Sequence, residues 1–503
     1  MHEDLLTEEV LNPTNPALAK IQNFTGTYPK QLWALAFTEM WERFCFYGNR
    51  ALLTLFMVDK LLYTEAESEL KYGAIQAFVY AFTFLGGLLA DKILGFKKSL
   101  VWGGLLMIVA NALLFVDATR LFYPAMCLLI LGTGFFKPNI STMVGELYKT
   151  GDKRRDSGFN LFYAGINLGA TFAGIVCVLV AKNYSYNLSF GLSSIFIAIG
   201  LIVFLITKSA LGPIGNTPIF GQKNKMLQYF VYIGGLLILP FIFIMIKNTK
   251  YTNLFMYIVG PATIIYLIIE VYIQKLSKSE IYKLCAAMIF VIASIFFWAF
   301  FEQSGGSLNL FAKNNLDSNL LGFKVDPNVI NNSSNSFIVF LSSPFIGLFW
   351  LWLAKRKADP NYMVKFGLGF IILSLAFYVF YSTRFTADAY GIASLNRFTF
   401  AYFIISIAEL CISPIGLSLM TMLAPKKLWG VMMGLWFLAS AYGQYIAGIL
   451  GAGMTSADKN AKPLIKLMTY TEGYKQLAIY ALIAGIILII ISPVIRKLMQ
   501  EVK

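Results

Sequence analysis

An apolar run from Leu32 to Val58 is long enough to cross a bilayer, which takes about 20 residues, yet two acids and two arginines sit in its middle: Glu39-Met-Trp-Glu42-Arg43-Phe44-Cys45-Phe46-Tyr47-Gly48-Asn49-Arg50. At about 100° per residue, Glu39, Glu42, Arg43, Phe46, Tyr47 and Arg50 share one sector of roughly 140° of a helix. Leu35, Leu52, Leu53, Leu55 and Phe56 supply the rest of its surface. Each of those charges turned to lipid would cost about 2.5–3.5 kcal/mol or more. The charged face must therefore look at other protein or at water, so this helix requires neighbours.

Composition says what the neighbours are. Hydrophobic residues make up 58% of the chain and charged residues only 13%, far from the balance of a soluble domain. Apolar runs at roughly 31–58, 72–95, 98–117, 121–147, 157–182, 188–208, 226–247, 253–275, 281–303, 335–355, 363–382, 397–423, 429–452 and 475–496 predict fourteen membrane-spanning helices. The net charge of +15 could suggest nucleic acid. However, the basic residues fall in short clusters between apolar runs, as in cytoplasmic loops, and no nucleic-acid partner is expected. The clusters are Lys92/Lys97/Lys98, Lys149/Lys153/Arg154/Arg155, Lys208/Lys223/Lys225, Lys275/Lys278/Lys283, Lys355/Arg356/Lys357/Lys365 and Lys426/Lys427. They share one side if the N-terminus is cytoplasmic, and the even span count returns Arg496 and Lys497 to that side. The expected setting is a bacterial inner membrane with both termini cytoplasmic.

Several chemistries find no support. The only histidine is His2, and the five cysteines (45, 127, 177, 285, 411) lie in apolar runs without metal-ligand spacing, as small buried hydrophobes do. No metal or cofactor is expected. No phosphate-binding lysine loop and no nucleophile–base–orienter set is present, so the chain does not read as an enzyme or an ATP-driven pump. Gly103-Gly104 and Gly234-Gly235 read as close-packing points within helices. The first 30 residues, polar and acidic with Pro13, Pro16 and Pro29, read as a tail.

An internal echo suggests two halves. Gly86-Gly87-Leu-Leu-Ala-Asp91-Lys92-Ile-Leu-Gly95-Phe-Lys97-Lys98 follows span two, and Gly347 to Asp359 closes span ten with Lys355, Arg356 and Lys357. Duplicated halves are how many secondary transporters are built. The expected organisation is a tail (1–30), an N-terminal six-helix bundle (31–208), a linker with two extra transmembrane helices (209–280) and a C-terminal six-helix bundle (281–503).

These residues also carry a family likeness. Glu39-x-x-Glu42-Arg43 resembles the ExxER signature of the proton-dependent oligopeptide transporters, within the major facilitator superfamily. Gly86–Lys98 is similar to the superfamily's Asp/basic loop. Gly132-Thr-Gly-Phe-Phe-Lys137-Pro138-Asn139 and Phe159-Asn-Leu-Phe-Tyr163-Ala-Gly-Ile-Asn167-Leu-Gly169-Ala resemble the family's signatures in spans four and five. Trp298-Ala-Phe-Phe-Glu302-Gln303, Glu409-Leu-Cys-Ile-Ser413-Pro414 and Met432-Met-Gly-Leu-Trp436 extend the likeness into the second half. The resemblance covers nearly the whole chain. It implies an all-α polytopic protein of the major facilitator fold, two six-helix bundles plus the extra pair, working as a monomeric proton-coupled importer of di- and tripeptides.

From the residues alone, the first half offers cations (Arg43, Arg50, Lys137) and the second half acids (Glu302, Glu409), a dipolar arrangement suited to a zwitterion. The resemblance implies that Arg50 helps hold the peptide carboxylate and Glu409 the amino group. Asn167 and Asn335 would meet backbone amides, though Ser336 stands where the family usually has proline. Tyr47, Tyr80, Trp298 and Trp436 would take varied side chains, while Phe46 replaces a usual tyrosine and removes a hydroxyl. Pairs such as Arg50–Glu302 and Lys137–Glu409 would join the halves when the outer mouth is shut; the alternative is that these charges are structural ion pairs. Pro138 and Pro414 each remove a backbone donor, as gating hinges or as static kinks, and Gly305-Gly306 weakens the helix end after Glu302.

Without histidine, carboxylates must carry the proton. Burial and neighbouring cations act on such groups in opposite directions, and Glu39, Glu42 and Arg43 titrate as a coupled set. The expectation is that protonation in this triplet, together with Glu302, drives the cycle. A relative carrying another small zwitterion or anion, such as a modified amino acid or nitrate, is the alternative within transport; a non-transporting sensor with a transporter fold is the alternative outside it.

Overall fold

The computed structural model describes residues 15–149, 151–425, 428–456, 458 and 461–500. Lys426 and Lys427, one of the expected cytoplasmic clusters, lie outside them. Helices of eight or more residues are numbered here in chain order: α1 (Lys30–Asp59), α2 (Glu65–Leu89), α3 (Phe96–Asp117), α4 (Phe122–Glu146), α5 (Arg154–Asn183), α6 (Tyr186–Thr207), α7 (Lys225–Leu237), α8 (Leu239–Lys247), α9 (Thr249–Ile273), α10 (Lys278–Phe301), α11 (Ser307–Asn315), α12 (Pro327–Lys355), α13 (Tyr362–Ser382), α14 (Leu395–Leu410), α15 (Ser413–Leu423), α16 (Trp429–Gly453) and α17 (Pro463–Met499). The fold is helical as expected, with one addition: a short antiparallel ribbon pairing Asn319–Leu320 with Phe323–Lys324.

Among the described residues, eleven helical stretches are long and apolar enough to cross a membrane. Three segments read as spans from the sequence fall outside that set for visible reasons. Helix α1 carries Glu39, Glu42, Arg43 and Arg50 in its middle. The span expected at 397–423 is broken into α14 and α15. Helix α16 dilutes its apolar residues with glycine, serine, tyrosine and Gln444. Elsewhere the helices outrun the apolar segments, because capping chemistry extends them. Asp326 accepts from the Asn328 backbone N–H at 2.8 Å and Pro327 opens α12, so Asn335 lies well inside the helix rather than at its start. Pro463 likewise opens α17, twelve residues before the apolar run. At Ser277 a reciprocal Ser–Glu280 cap starts α10, satisfying two otherwise orphaned N–H groups.

The chain forms two compact units. The first comprises residues up to Leu52 together with Phe78–Lys247. Backbone contact at glycine builds it. A Cβ on Gly86 would stand 2.1 Å from the Gly134 carbonyl oxygen, one on Gly103 2.5 Å from that of Gly132, and one on Gly169 2.1 Å from that of Met40. Thus α2 and α3 lie hard against α4, and α5 against α1. Gly103 fulfils the close-packing expectation; Gly234 does not, since a Cβ there meets nothing within 4 Å. Part of the expected tail is docked in this unit: helix Pro16–Gln22 buries Leu18 and Ile21, and Gln22 donates to the Glu146 carbonyl at 3.0 Å.

The second unit comprises Leu53–Ala77 and the chain from Asn248 onward. Glu65 ties the early segment in. It accepts from the Tyr470 hydroxyl at 2.6 Å, from Lys466 at 2.5 Å and from Asn314 at 3.0 Å, while Lys313 pairs with Asp59. Rings of Phe311, Phe380, Phe398, Tyr402 and Tyr474 form a contiguous aromatic core, so many of the chain's aromatics serve packing. Of the extra helices, α7 and α8 belong to the first unit and α9 to the second. Cys285 is exposed, against the expectation that all five cysteines are buried; its position on α10 turns outward.

Gly169→Val should push α5 off α1 and lower the melting temperature of the purified protein, since overpacking costs about 1–3 kcal/mol. Gly234→Ala, with open space around it, should leave melting unchanged or raise it slightly through helix propensity.

Candidate substrate and proton site

In the first unit the charged face of α1 folds in on itself. Arg43 forks onto Glu42, with Nη2 donating to Oε1 at 2.6 Å and Nε to Oε2. The same Nε reaches Glu39 Oε1 at 3.2 Å. All three side chains are almost completely buried. One guanidinium thus serves two carboxylates, a task suited to its planar five-donor fork. The fit is incomplete: Glu39 Oε2 is buried with no hydrogen-bond partner.

The α2–α4 glycine contact brings Tyr80 and Lys137 together. Lys137 Nζ stands over the Tyr80 ring at 4.5 Å and over Phe46 at 5.9 Å. Arg43 also reaches Phe46, with its guanidinium carbon 4.9 Å from the ring centre. Phe46 therefore touches two cations. Such contacts are worth about 0.5–2 kcal/mol each, so the residue that the sequence marked only as a lost hydroxyl is a shared aromatic contact for both. Lys137 also lies close enough to act electrostatically on Glu39. One helical turn along α1, Arg50 stacks on Tyr47 with its guanidinium carbon 5.8 Å from the ring centre. Asn167 is buried, and its Nδ2 donates to the Tyr163 carbonyl of its own helix at 2.9 Å. Pro138 lies inside α4, which continues past it.

In the second unit both acids sit at helix interruptions. Helix α10 ends at Phe301, and Glu302 opens a 3₁₀ turn running to Gly305 before α11 resumes at Ser307, as the Gly-Gly pair predicts. Glu302 is buried. The freed carbonyls find partners: Asn331 Nδ2 donates to Ser304 O at 2.8 Å and Thr54 Oγ1 to Gly305 O at 3.0 Å. Asn328, Asn331 and Asn332 all converge on Asn309 Oδ1, at 2.9, 3.2 and 2.9 Å. The sequence reading missed this asparagine cluster, although the Asn-rich run just ahead of the apolar segment at 335–355 was its signal.

Glu409 lies at the end of α14. The chain turns at Cys411–Ile412 and α15 starts at Ser413 with Pro414 in its first turn. Pro414 accordingly opens a new helix instead of kinking a continuous one, where its missing N–H costs no helical bond. Asn335 Nδ2 donates to Glu409 Oε2 at 3.0 Å and to Ser406 Oγ at 3.1 Å. Asn335 is thus a partner of the acid, a role the sequence reading did not give it. Trp436 is buried over Gly416, where a Cβ would stand 2.0 Å from its ring. The Trp298 Nε1 is buried without a hydrogen-bond partner.

Buried and half-buried charges in each unit, mounted on helices long and apolar enough to cross a membrane and interrupted at unwound joints, fit a polytopic membrane transporter. The chain belongs to the POT family, whose profile matches residues 97–469. It is similar to the peptide transporter YePEPT of Yersinia enterocolitica subsp. palearctica, 30% identical over 499 residues covering 94% of this chain and 96% of that one. Similar too is dipeptide and tripeptide permease B of Xenorhabdus bovienii, 29% identical over 475 residues, with 94% and 97% covered. Among solved structures, the peptide transporter POT in complex with sulfate superposes with a TM-score of 0.83 at 30% identity, covering 98% of this chain and 99% of that one.

Removing Arg43 strands two buried carboxylates. Arg43→Gln should therefore lower stability by about 3–5 kcal/mol, the usual cost of breaking a buried pair. The triple change Glu39→Gln, Glu42→Gln, Arg43→Gln should restore most of it. A triple variant melting no higher than the single one would contradict the charge accounting.

Proposed function

We propose that this protein is a proton-coupled symporter importing di- and tripeptides by alternating access, with one chain as the transporting unit. The observation carrying the proposal is the Arg43 fork over Glu39 and Glu42. It holds two acids on one base in a buried setting, so a proton taken by either acid converts an overcommitted cation into a simple pair. Glu39 Oε2, buried and unbonded, offers the landing point. The cation released from the second acid is next to Phe46, and through that ring to Lys137, so the change in charge reaches a substrate-facing group.

The peptide class is supported by the names of the similar proteins, a peptide transporter and a dipeptide and tripeptide permease. In this reading Arg50, with Arg43 and Lys137, holds the peptide carboxylate, and Glu409, with Glu302, the amino group. Asn167 and Asn335 meet backbone amides, and Tyr47, Tyr80, Trp298 and Trp436 take the peptide's side chains. Glu302 also joins the proton relay. Lys137 with Pro138 and Glu409 with Pro414 take part in gating, exchanging charge partners as the acids load. The break at 411–412 supports a joint there, because its rotation breaks no continuous helix.

The bundles are assigned to residues 31–208 and 281–503, and the extra pair to the linker between them. The N- and C-termini are assigned to the cytoplasm of a bacterial inner membrane, on the lysine and arginine clusters at one set of span ends.

Uptake of labelled di-alanine into proteoliposomes under an imposed pH gradient, acid outside, tests the reading. The wild-type protein should accumulate the label, with unlabelled tripeptide competing. Glu42→Gln should retain counterflow exchange but lose gradient-driven accumulation. Full accumulation by that variant would remove the triplet from proton coupling. Competition by nitrate or a modified amino acid, but not by tripeptide, would replace the substrate class.

A further inference from the structure

Three span ends of the first unit meet around a cleft of roughly 530 Å³ that takes no part in the site above. Lys97 and Lys98 begin α3, Lys208 follows α6, and Tyr232 comes from α7; all four line the cleft, as do Trp102 and Leu105. Neutral groups hold the first two lysines in place. Lys97 Nζ donates to Gly212 O at 2.7 Å and Asn216 Oδ1 at 2.9 Å, and Lys98 Nζ to Gln228 Oε1 at 2.8 Å. Lys208 and Lys97 are near enough to repel one another, and Glu146 is the carboxylate acting on Lys97 from outside the lining. Three cations thus ring one cleft whose lining, among the described residues, includes no carboxylate.

The other wall is differently made. Trp102 lies five residues beyond Lys97 on α3, about 7.5 Å below it at 1.5 Å per residue. Its ring meets Tyr232 edge-on at 5.2 Å. Its Nε1 is buried with no hydrogen-bond partner. Beyond it Leu105 is exposed. Reading down from the span end, the cleft therefore presents positive charge, then two interfacial-type rings, then apolar surface. That order matches the polarity profile of a phospholipid at a membrane face.

We propose that this cleft binds a phosphate group carried by an anionic glycerophospholipid. Lys97, Lys98 and Lys208 surround the phosphate, the Trp102 and Tyr232 rings flank the glycerol region, and an acyl chain runs along Leu105. A free phosphate shares the headgroup chemistry but would leave the apolar wall unused. Because the cleft joins α3, α7 and the 208–217 loop, its occupant ties the first extra helix to the bundle.

The test uses the full-length protein in detergent, titrated with dioleoyl-phosphatidylglycerol or dioleoyl-phosphatidylcholine and read by native mass spectrometry. Selective retention of the phosphatidylglycerol is expected. Lys208→Gln should weaken it about fivefold, the worth of one lysine at an anionic surface. Lys225→Gln, which changes an exposed lysine outside the lining, should leave it unchanged. In vesicles with brominated phosphatidylglycerol chains, the quenched fluorescence should fall selectively in Trp102→Phe. Equal retention of the two lipids, or an equal loss in Lys225→Gln and Lys208→Gln, would overturn the site. Displacement of the lipid by millimolar inorganic phosphate would overturn the lipid as its source.

Discussion

The structure depends on an electrostatic debt inside α1. Two carboxylates and one guanidinium, all withdrawn from water, leave a net negative charge that an apolar helix cannot turn to lipid. Everything around that face answers it. Gly169 lets α5 approach the backbone at Met40, and Gly86 lets α2 reach Gly134 of α4; the second contact carries Lys137 to within electrostatic reach of Glu39. Lys137 and Arg43 both lie against the Phe46 ring. A tyrosine there would add a hydroxyl competing for the same cations. The phenyl ring instead offers each a contact at a modest gain.

The second unit solves a related problem at the backbone. Breaking a helix inside a membrane frees carbonyl and amide groups that lipid cannot satisfy. After Glu302 the protein satisfies them with Asn331 and Thr54, and Asn309 gathers the neighbouring amides. After Glu409 it restarts the helix with a proline, which has no N–H to satisfy. Each acid is therefore placed at a joint. A carboxylate whose charge changes next to a joint alters local hydrogen bonding where the backbone has least resistance to rearrangement, whereas the same change in a helix middle would be held by the ladder.

Much of this was legible in the sequence, and the parts that were not share a cause. The charged face of α1, the pairing of glycines with close contacts and the weak end after Glu302 follow from periodicity and residue type alone. The mates of the side chains do not. Phe46 read as a loss because its value comes from cations on two elements, one of them Lys137, 91 residues further along the chain. Asn335 read as a substrate contact because nothing in the chain order reveals Glu409 beside it. Helix ends were misjudged where polar turns continue an apolar run: hydropathy marks what faces lipid, while Asp326–Pro327 and Pro463 mark where the helix begins. Gly234 and Cys285 show the reverse limit, since one face of a helix at the bundle surface has no neighbour to pack against.

The chain's basic residues divide by what balances them. Arg43 is balanced by carboxylates and Lys137 by aromatic faces together with those same acids. Lys97 and Lys98 are held by carbonyl and amide oxygens, which orient an ammonium without cancelling its charge. A loop cation that served only to fix membrane orientation would gain nothing from such anchoring, because orientation is insensitive to where the side chain points. Anchoring costs side-chain entropy, about 1.5–2 kcal/mol for a lysine, and it also ties α3 to the 208–217 loop. The excess of positive charge at these span ends is therefore structural as well as topological: it stiffens the junction from which the first extra helix departs.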